Sequence, residues 1–113
     1  MESKQILKGT IWLEIDDEKV LSQVHVELLE RVHKSGYIRQ GALQMRMSYK
    51  HAWDLIHHMN DHHKLPIVIS QRGGKGGGCA IVTAHGIRLV GQFHLLKIKF
   101  QDFLDLNIID VNC

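Results

Sequence analysis

Five glycines occupy the six positions 73–78, and the stretch on each side of them favours a β-strand. The flanks, residues 67–69 and 79–82, are rich in β-branched side chains, whereas glycine imposes no fixed backbone conformation. The pattern predicts a β-hairpin whose flexible tip carries two cations, Arg72 and Lys75. A nucleotide phosphate loop is excluded, because Lys75 precedes a glycine and a strand instead of Ser or Thr at a helix start. A flexible turn that binds nothing remains the alternative.

Two helices are predicted in the first part of the chain. Apolar residues at helical spacing indicate a first helix that runs to about residue 34: Leu21, Val24, Leu28 and Val32. Gly36 then stands where a left-handed cap residue commonly ends a helix. A short second helix is predicted over residues 39–45, with three apolar side chains expected to face inward: Ile38, Ala42 and Leu43.

Ser48 is a suitable N-cap for a third helix, predicted over residues 49–62. Its buried stripe is expected to consist of Ala52, Leu55, Ile56 and Met59. The side chains left for solvent or a partner are Tyr49, Lys50, Asp54, His57 and Asp61. Trp53 lies at the border and is expected to be mostly packed; core packing is also an alternative for Tyr49.

The remaining segments complete an α+β chain of one domain. Residues 6–15 favour a strand that turns at Asp16 and Asp17 into a short return strand near residues 19–21. Thr83 can cap a long final helix. The predicted fold is a winged helix-turn-helix with an N-terminal β-hairpin, a glycine-rich wing and a long C-terminal dimerisation helix. Its parts are residues 1–20 (hairpin), 21–64 (three-helix core), 66–83 (wing), 84–105 (long helix) and 106–113 (tail).

Charge is unevenly distributed along the chain, although the net charge is only +2. Residues 34–88 hold eight lysines and arginines against two aspartates, whereas the two ends together hold six cations against ten acids. A basic centre is the footprint expected of a protein that binds a polyanion, with chance surface charge as the alternative.

Several other classes of protein are disfavoured. The sequence has no apolar run near the ~20 residues that span a membrane, no signal-peptide pattern and no CxxC pair, so a cytoplasmic location is expected. His58 and His62 have the spacing of a zinc-binding pair, yet nothing completes a ligand set, and a solvated polar face is the preferred interpretation. No nucleophile–base pair stands out, so an enzyme is not expected.

Three motifs carry a family resemblance: Ser-Tyr-Lys-His-Ala-Trp at residues 48–53, Met-Asn at residues 59–60, and the run at residues 73–78. Together they resemble the N-terminal DNA-binding domain of ModE-type molybdenum regulators, whose fold is the LysR-like winged helix. The sequence departs from that family at Arg39, where a serine usually caps the second helix, at Arg46, where the turn usually holds glycine, and at Cys79. Full-length ModE regulators add a molybdate-binding module after this domain, so no cofactor and no direct molybdate binding are expected for this chain.

The resulting hypothesis is a sequence-specific regulator that binds double-stranded DNA as a homodimer, with the third helix in the major groove and the wing on phosphates. The homodimer is expected because the long helix is apolar on more than one face. Eight residues are predicted to contact DNA: Arg39, Arg46, Ser48, Tyr49, Lys50, Asp54, Arg72 and Lys75. The alternatives are an interaction partner of a full-length regulator that does not bind DNA, and an accessory protein of molybdenum metabolism.

Overall fold

A tight turn at Asp16 and Asp17 opens the fold in the computed structural model, which describes residues 4–71 and 78–111. Both aspartates have positive φ, 52° and 64°, as a two-residue hairpin turn requires. They join two antiparallel strands, β1 (Leu13–Ile15) and β2 (Glu18–Leu21). The first strand was predicted to begin at residue 6, and it is shorter than that prediction.

The helices α1 (Gln23–Ser35), α2 (Ile38–Gln44) and α3 (Tyr49–Asp61) follow. Gly36 ends α1 with φ +81° and donates its N–H to the carbonyl of Val32 at 2.7 Å, which confirms the predicted left-handed cap. The Gly36 carbonyl accepts from the Ala80 N–H at 2.8 Å, so the end of α1 is fixed to the second strand of the wing.

A single narrow face of α2 packs on α1. That face runs through Ile38, Gly41 and Ala42, and a Cβ built on Gly41 would lie 2.8 Å from a methyl group of Val32. Leu43, which was expected to face inward, is 64% exposed because it lies on the next side of this short helix. Arg39 was placed at the cap of α2, whereas the structure has Tyr37 there and Arg39 inside the helix.

The wing consists of β3 (Val68–Ser70) and β4 (Ala80–Val82), paired antiparallel with Ile69 opposite Ile81. After it, α4 (Ala84–Asp105) begins at Thr83, whose hydroxyl accepts from the Gly86 N–H at 3.0 Å. The order of elements is that of a winged helix, as predicted.

One main core lies between the three helices and the wing, with Leu28, Leu29, Ile56, Met59 and Ile67 fully buried. A smaller cluster joins the N-terminal hairpin to α4 through Leu21, Val26 and Phe93. Val24 was expected in the buried stripe of α1, but it is exposed, and His25 and Val26 are buried beside it.

The long helix α4 buries only Gly86, Phe93 and Leu104 among its 22 residues. Many of its other apolar side chains are exposed: Ile87, Leu95, Leu96, Ile98 and Phe103. In the described residues, no helix combines the length and apolar character needed to cross a membrane.

Candidate nucleic-acid interface

Ser48 fixes the start of α3. Its backbone is extended, with φ −68° and ψ 153°, and its Oγ accepts from the N–H of His51 at 3.0 Å. The prediction of a serine cap is confirmed. A helix start also concentrates N–H groups without intrahelical acceptors and the positive end of the helix dipole, and both favour a nearby anion.

The turn before α3 and the helix α2 each supply an exposed arginine. Arg46 adopts the left-handed conformation with φ 56° in the turn, where the family resemblance implied a glycine. Arg39 lies on α2 and places its guanidinium 5.4 Å from the centre of the Tyr49 ring. This cation–π contact joins α2 to the first turn of α3, and Tyr49 is an exposed residue instead of a core one.

Lys50 and Asp54 form an exposed ion pair one turn apart on α3, with Nζ and Oδ2 3.0 Å apart. Exposed pairs of this type contribute only about 0.3–0.5 kcal/mol, so they open at little cost when either side chain meets another partner. The pair therefore leaves a cation and a carboxylate available on the surface of α3.

Trp53 is 41% exposed, and the expectation that it would be mostly packed is wrong. The buried stripe of α3 consists of Ala52, Ile56 and Met59. Trp53 follows Ala52 and lies one position further round the helix, where the side chain already faces outward. The indole stacks on the ring of His57, with centroids 3.5 Å apart and planes inclined by 20°. His57 Nδ1 also lies 2.9 Å from the Trp53 carbonyl oxygen.

Six of the eight predicted contact residues therefore lie in one α2–turn–α3 unit: Arg39, Arg46, Ser48, Tyr49, Lys50 and Asp54. All six are exposed. The other two, Arg72 and Lys75, fall outside the described residues. Trp53 and His57 were not predicted as contact residues, although their spacing of three and seven residues from Lys50 places them on the same side of the helix.

Asn60 connects α3 to the wing, a role that the sequence did not reveal. Its Oδ1 accepts from the N–H groups of Ile67 at 2.8 Å and Val68 at 3.2 Å, and its Nδ2 donates to the Val68 carbonyl at 2.9 Å. The Asn60 side chain thus makes the backbone hydrogen bonds that a neighbouring strand would otherwise make with the start of β3. The signal that could have found it is the Met-Asn motif, in which a polar residue follows a buried methionine.

The histidines that follow Trp53 are held by the backbone of the same helix. His62 Nδ1 lies 2.9 Å from the His58 carbonyl oxygen, and His63 Nδ1 lies 2.8 Å from that of Met59. His58 Nε2 is 3.5 Å from a carboxylate oxygen of Glu18. Among residues 4–71 and 78–111, no group of three or more histidines, cysteines and acids is arranged to hold a metal ion.

His25 is a titratable group in the core, only 4% exposed. Its Nδ1 lies 2.8 Å from Ser22 Oγ. Burial lowers its pKa from 6.5 to about 4, and electrostatic interaction with the neighbouring His58 and Lys19 acts in the same direction. At neutral pH, His25 is therefore an uncharged part of the packing beneath the N-terminal hairpin.

Comparison with known proteins identifies relatives of this chain by sequence identity. No protein-family model matches the chain. The molybdenum transport protein ModE of Azotobacter vinelandii is 37% identical over 93 residues, which are 82% of this chain and 34% of that protein. The DNA-binding transcriptional dual regulator ModE of Escherichia coli K12 is 44% identical over 81 residues, 72% of this chain and 31% of that protein.

The molybdenum-pterin-binding protein MopB of Rhodobacter capsulatus is 37% identical over 72 residues, 64% of this chain and 27% of that protein. None of these three names describes an enzyme. The chain spans about a third of the length of the curated relatives it matches. It is therefore a homologue of the ModE transcriptional regulators, similar to the N-terminal part of such a protein.

Proposed function

We propose that this chain is a ModE-like, sequence-specific DNA-binding transcription regulator, with α3 in the major groove and the wing on neighbouring phosphates. The observation that carries the proposal is the α2–turn–α3 unit, in which six exposed candidate contact residues surround the capped start of α3. Two of the relatives carry molybdenum in their names, and we place the regulated process in molybdenum metabolism for that reason.

The shape of α3 suits a groove. Thirteen residues give a helix about 20 Å long. Its inner stripe is fixed in the core by Ala52, Ile56 and Met59, so the opposite side projects from the domain on a rigid support. B-DNA has a major groove about 12 Å wide, which admits one α-helix with its side chains.

Charge supports the same orientation. Arg39 and Arg46 lie beside the start of α3, where their guanidinium groups can reach phosphates on the edge of the groove. The acidic side chains of the chain are concentrated in its two ends, away from residues 34–88. Phosphate repulsion would therefore disfavour docking through the N-terminal hairpin or the tail.

Base reading falls to the exposed pair on α3. Once separated, the Lys50 ammonium can donate to the O6 and N7 of guanine, and the Asp54 carboxylate can accept from the amino group of cytosine. A G·C pair presents both of these groups. Lys50 and Asp54 can therefore give up their contact with each other and bind the guanine and the cytosine of one base pair.

A homodimer would place two such helices on a site with two-fold symmetry. The exposed apolar side chains of α4, including Leu95, Leu96 and Phe103, form the surface that we assign to the dimer contact. Dimeric helix-turn-helix proteins commonly read two half-sites about 34–36 Å apart, one turn of the duplex.

The test is binding of fluorescent duplexes from a randomised pool, measured over a range of salt concentration. We expect selection of a preferred sequence and a steep fall of affinity with salt, because each phosphate contact contributes about 0.9 to the logarithmic slope. Arg39→Gln should reduce the slope, whereas Lys19→Gln on the N-terminal hairpin is the matched control and should not. A chain that binds no duplex even at low salt would favour an interaction protein instead.

A further inference from the structure

The stacked rings of Trp53 and His57 form an unusual surface on α3. Trp53 is 41% exposed, although burial of so large an aromatic side chain normally stabilises a fold. Its ring lies 3.5 Å from that of His57 at the nearly parallel angle of 20°, so the two rings act as one plate. Neither core packing nor helix capping uses this plate.

The hydrogen bond of His57 determines which of its ring atoms is free. Nδ1 lies 2.9 Å from the carbonyl oxygen of Trp53, and a carbonyl can only accept, so Nδ1 carries the proton in the neutral ring. Nε2 is then an acceptor. The plate therefore presents an apolar face next to one hydrogen-bond acceptor.

We infer that Trp53 and His57 together read an A·T base pair in the major groove, with the indole on the thymine methyl group and His57 Nε2 accepting from the adenine amino group. In this groove only thymine offers a methyl group, and the adenine paired with it offers an amino donor. A G·C pair lacks the methyl group. The inference rests on the proposed binding of α3 to DNA.

The position of the plate on α3 fits this role. Trp53 and His57 follow Lys50 by three and seven residues, so the three side chains lie on one side of the helix over two turns. The plate is centred three residues further along α3 than the pair of Lys50 and Asp54, so it meets the next base pair along the groove. This orders the two readings along the site.

The experiment removes one group at a time from the DNA. A preferred duplex is first selected from a randomised pool, and each thymine in it is replaced in turn by deoxyuridine, which lacks only the methyl group. For the parent chain we expect one replacement to weaken binding about fourfold, the equivalent of one buried methyl group. Replacement of the paired adenine by purine, which lacks the amino group, should weaken binding at the same base pair.

The matched variants are Trp53→Ala, Trp53→Phe and His57→Ala, with Trp12→Phe as the control tryptophan on the N-terminal hairpin. With Trp53→Ala, replacement of thymine by deoxyuridine should no longer weaken binding, and with Trp53→Phe it should weaken binding less than in the parent. With His57→Ala, replacement of adenine by purine should no longer weaken binding. Circular dichroism establishes that each variant is folded. If Trp53→Ala and the parent show the same effect at every thymine, the inference is overturned while DNA binding stands. If the parent binds no duplex, the proposed function itself is overturned.

Discussion

Arg46 occupies a backbone conformation that costs an arginine about 1 kcal/mol, since its φ of 56° brings Cβ close to the following carbonyl oxygen. Glycine takes this conformation without that clash. The exposed guanidinium in the turn before α3 is what the arginine adds in return. Arg46 therefore illustrates, in one residue, a choice between local stability and a positive charge at the proposed interface.

Arg46→Gly should raise the free energy of unfolding by about 0.5–1 kcal/mol, because the left-handed strain is removed. The same change should weaken DNA binding and reduce its logarithmic salt slope by about 0.9, the contribution of one phosphate contact. Urea denaturation and salt-dependent binding measure the two effects. Arg46→Lys keeps the charge and the strain, and serves as the control. An unchanged salt slope in Arg46→Gly would show that Arg46 touches no phosphate.

His25 makes the fold sensitive to acid. The pKa of this histidine is about 4 in the folded chain and 6.5 in the unfolded one, so the unfolded state binds the proton first as pH falls. The neutral ring contributes its full stability above pH 6.5, and that contribution is lost progressively toward pH 4. Between pH 7 and pH 5 the loss should be roughly 1–2 kcal/mol.

His25→Asn is the variant that tests this acid sensitivity. Asparagine retains a polar atom near Ser22 Oγ but has no proton to gain in this range. The variant should be less stable than the parent at pH 7, because a smaller side chain leaves space in the core. Its free energy of unfolding should vary less between pH 7 and pH 5. Equal pH dependence in the two chains would assign the acid sensitivity to other groups.

At the scale of elements, Asn60 holds β3 against the end of α3 through three hydrogen bonds. Asn60→Ala leaves two N–H groups and one carbonyl without these partners, and should lower the free energy of unfolding by about 2–3 kcal/mol. Amide hydrogen exchange at Ile67 and Val68 should become faster. Asp61→Ala, at the exposed neighbouring position, is the control and should change stability by less than about 0.5 kcal/mol. Unchanged exchange at Ile67 would show that the wing does not depend on Asn60.

Substitutions in the wing and substitutions in α3 should change DNA binding in different ways. Arg72→Ala combined with Lys75→Ala removes two cations expected to meet phosphates, so the logarithmic salt slope should fall by nearly two units, about 0.9 for each contact. Affinity should weaken alike on all duplexes. Changes at Lys50 or Asp54 should instead alter the preference among sequences by about 1–3 kcal/mol. A double wing variant with the parental salt slope would exclude the wing from the contact.

Local signals made the element boundaries predictable. The caps at Gly36, Ser48 and Thr83 depend on the residue type and its immediate neighbours, and all three were read from the sequence. The long helix, placed at residues 84–105, is observed as Ala84–Asp105 for the same reason. The predicted N-terminal strand was longer than the observed one, because residues with high β-propensity form a strand only where a partner pairs with them. The partner strand β2 is only four residues long.

Burial was predicted less well than boundaries, since it depends on which side of a helix the rest of the fold covers. Leu43 and Trp53 are large and apolar, yet both face outward, because Gly41 and Ala52 supply the close contacts on their helices. The stack of Trp53 on His57 and the hydrogen bonds of Asn60 involve specific geometry that spacing alone does not give. Side-chain contacts between different elements, such as that of Asn60 on α3 with Val68 on β3, were therefore the part that the sequence could not supply.

At the scale of the whole molecule, the proposed DNA contact and the largest exposed apolar surface lie on different elements. The exposed cations Arg39, Arg46 and Lys50 belong to the α2–turn–α3 unit, whereas exposed apolar side chains accumulate along α4 and the tail: Leu95, Leu96, Ile98, Phe103, Leu106 and Ile108. The groove between the N-terminal hairpin and α4, with a volume of about 530 Å³, is also lined mainly by apolar residues such as Trp12, Leu21 and Phe100. A domain of this size gains stability if a partner covers such a surface.

We expect the chain to be a dimer at micromolar concentration, with α4 as the contact, because burial of these side chains removes apolar surface from water. Leu96→Glu should place a charge in the contact and weaken dimerisation tenfold or more, since an unpaired buried carboxylate is costly. Leu43→Glu is the matched control, because Leu43 is 64% exposed on α2, away from α4, and its change should leave the dimer intact. Sedimentation equilibrium measures both. A parent chain that sediments as a 13.0 kDa monomer at such concentrations would show that α4 does not self-associate, and binding to a two-fold site would then require a different contact.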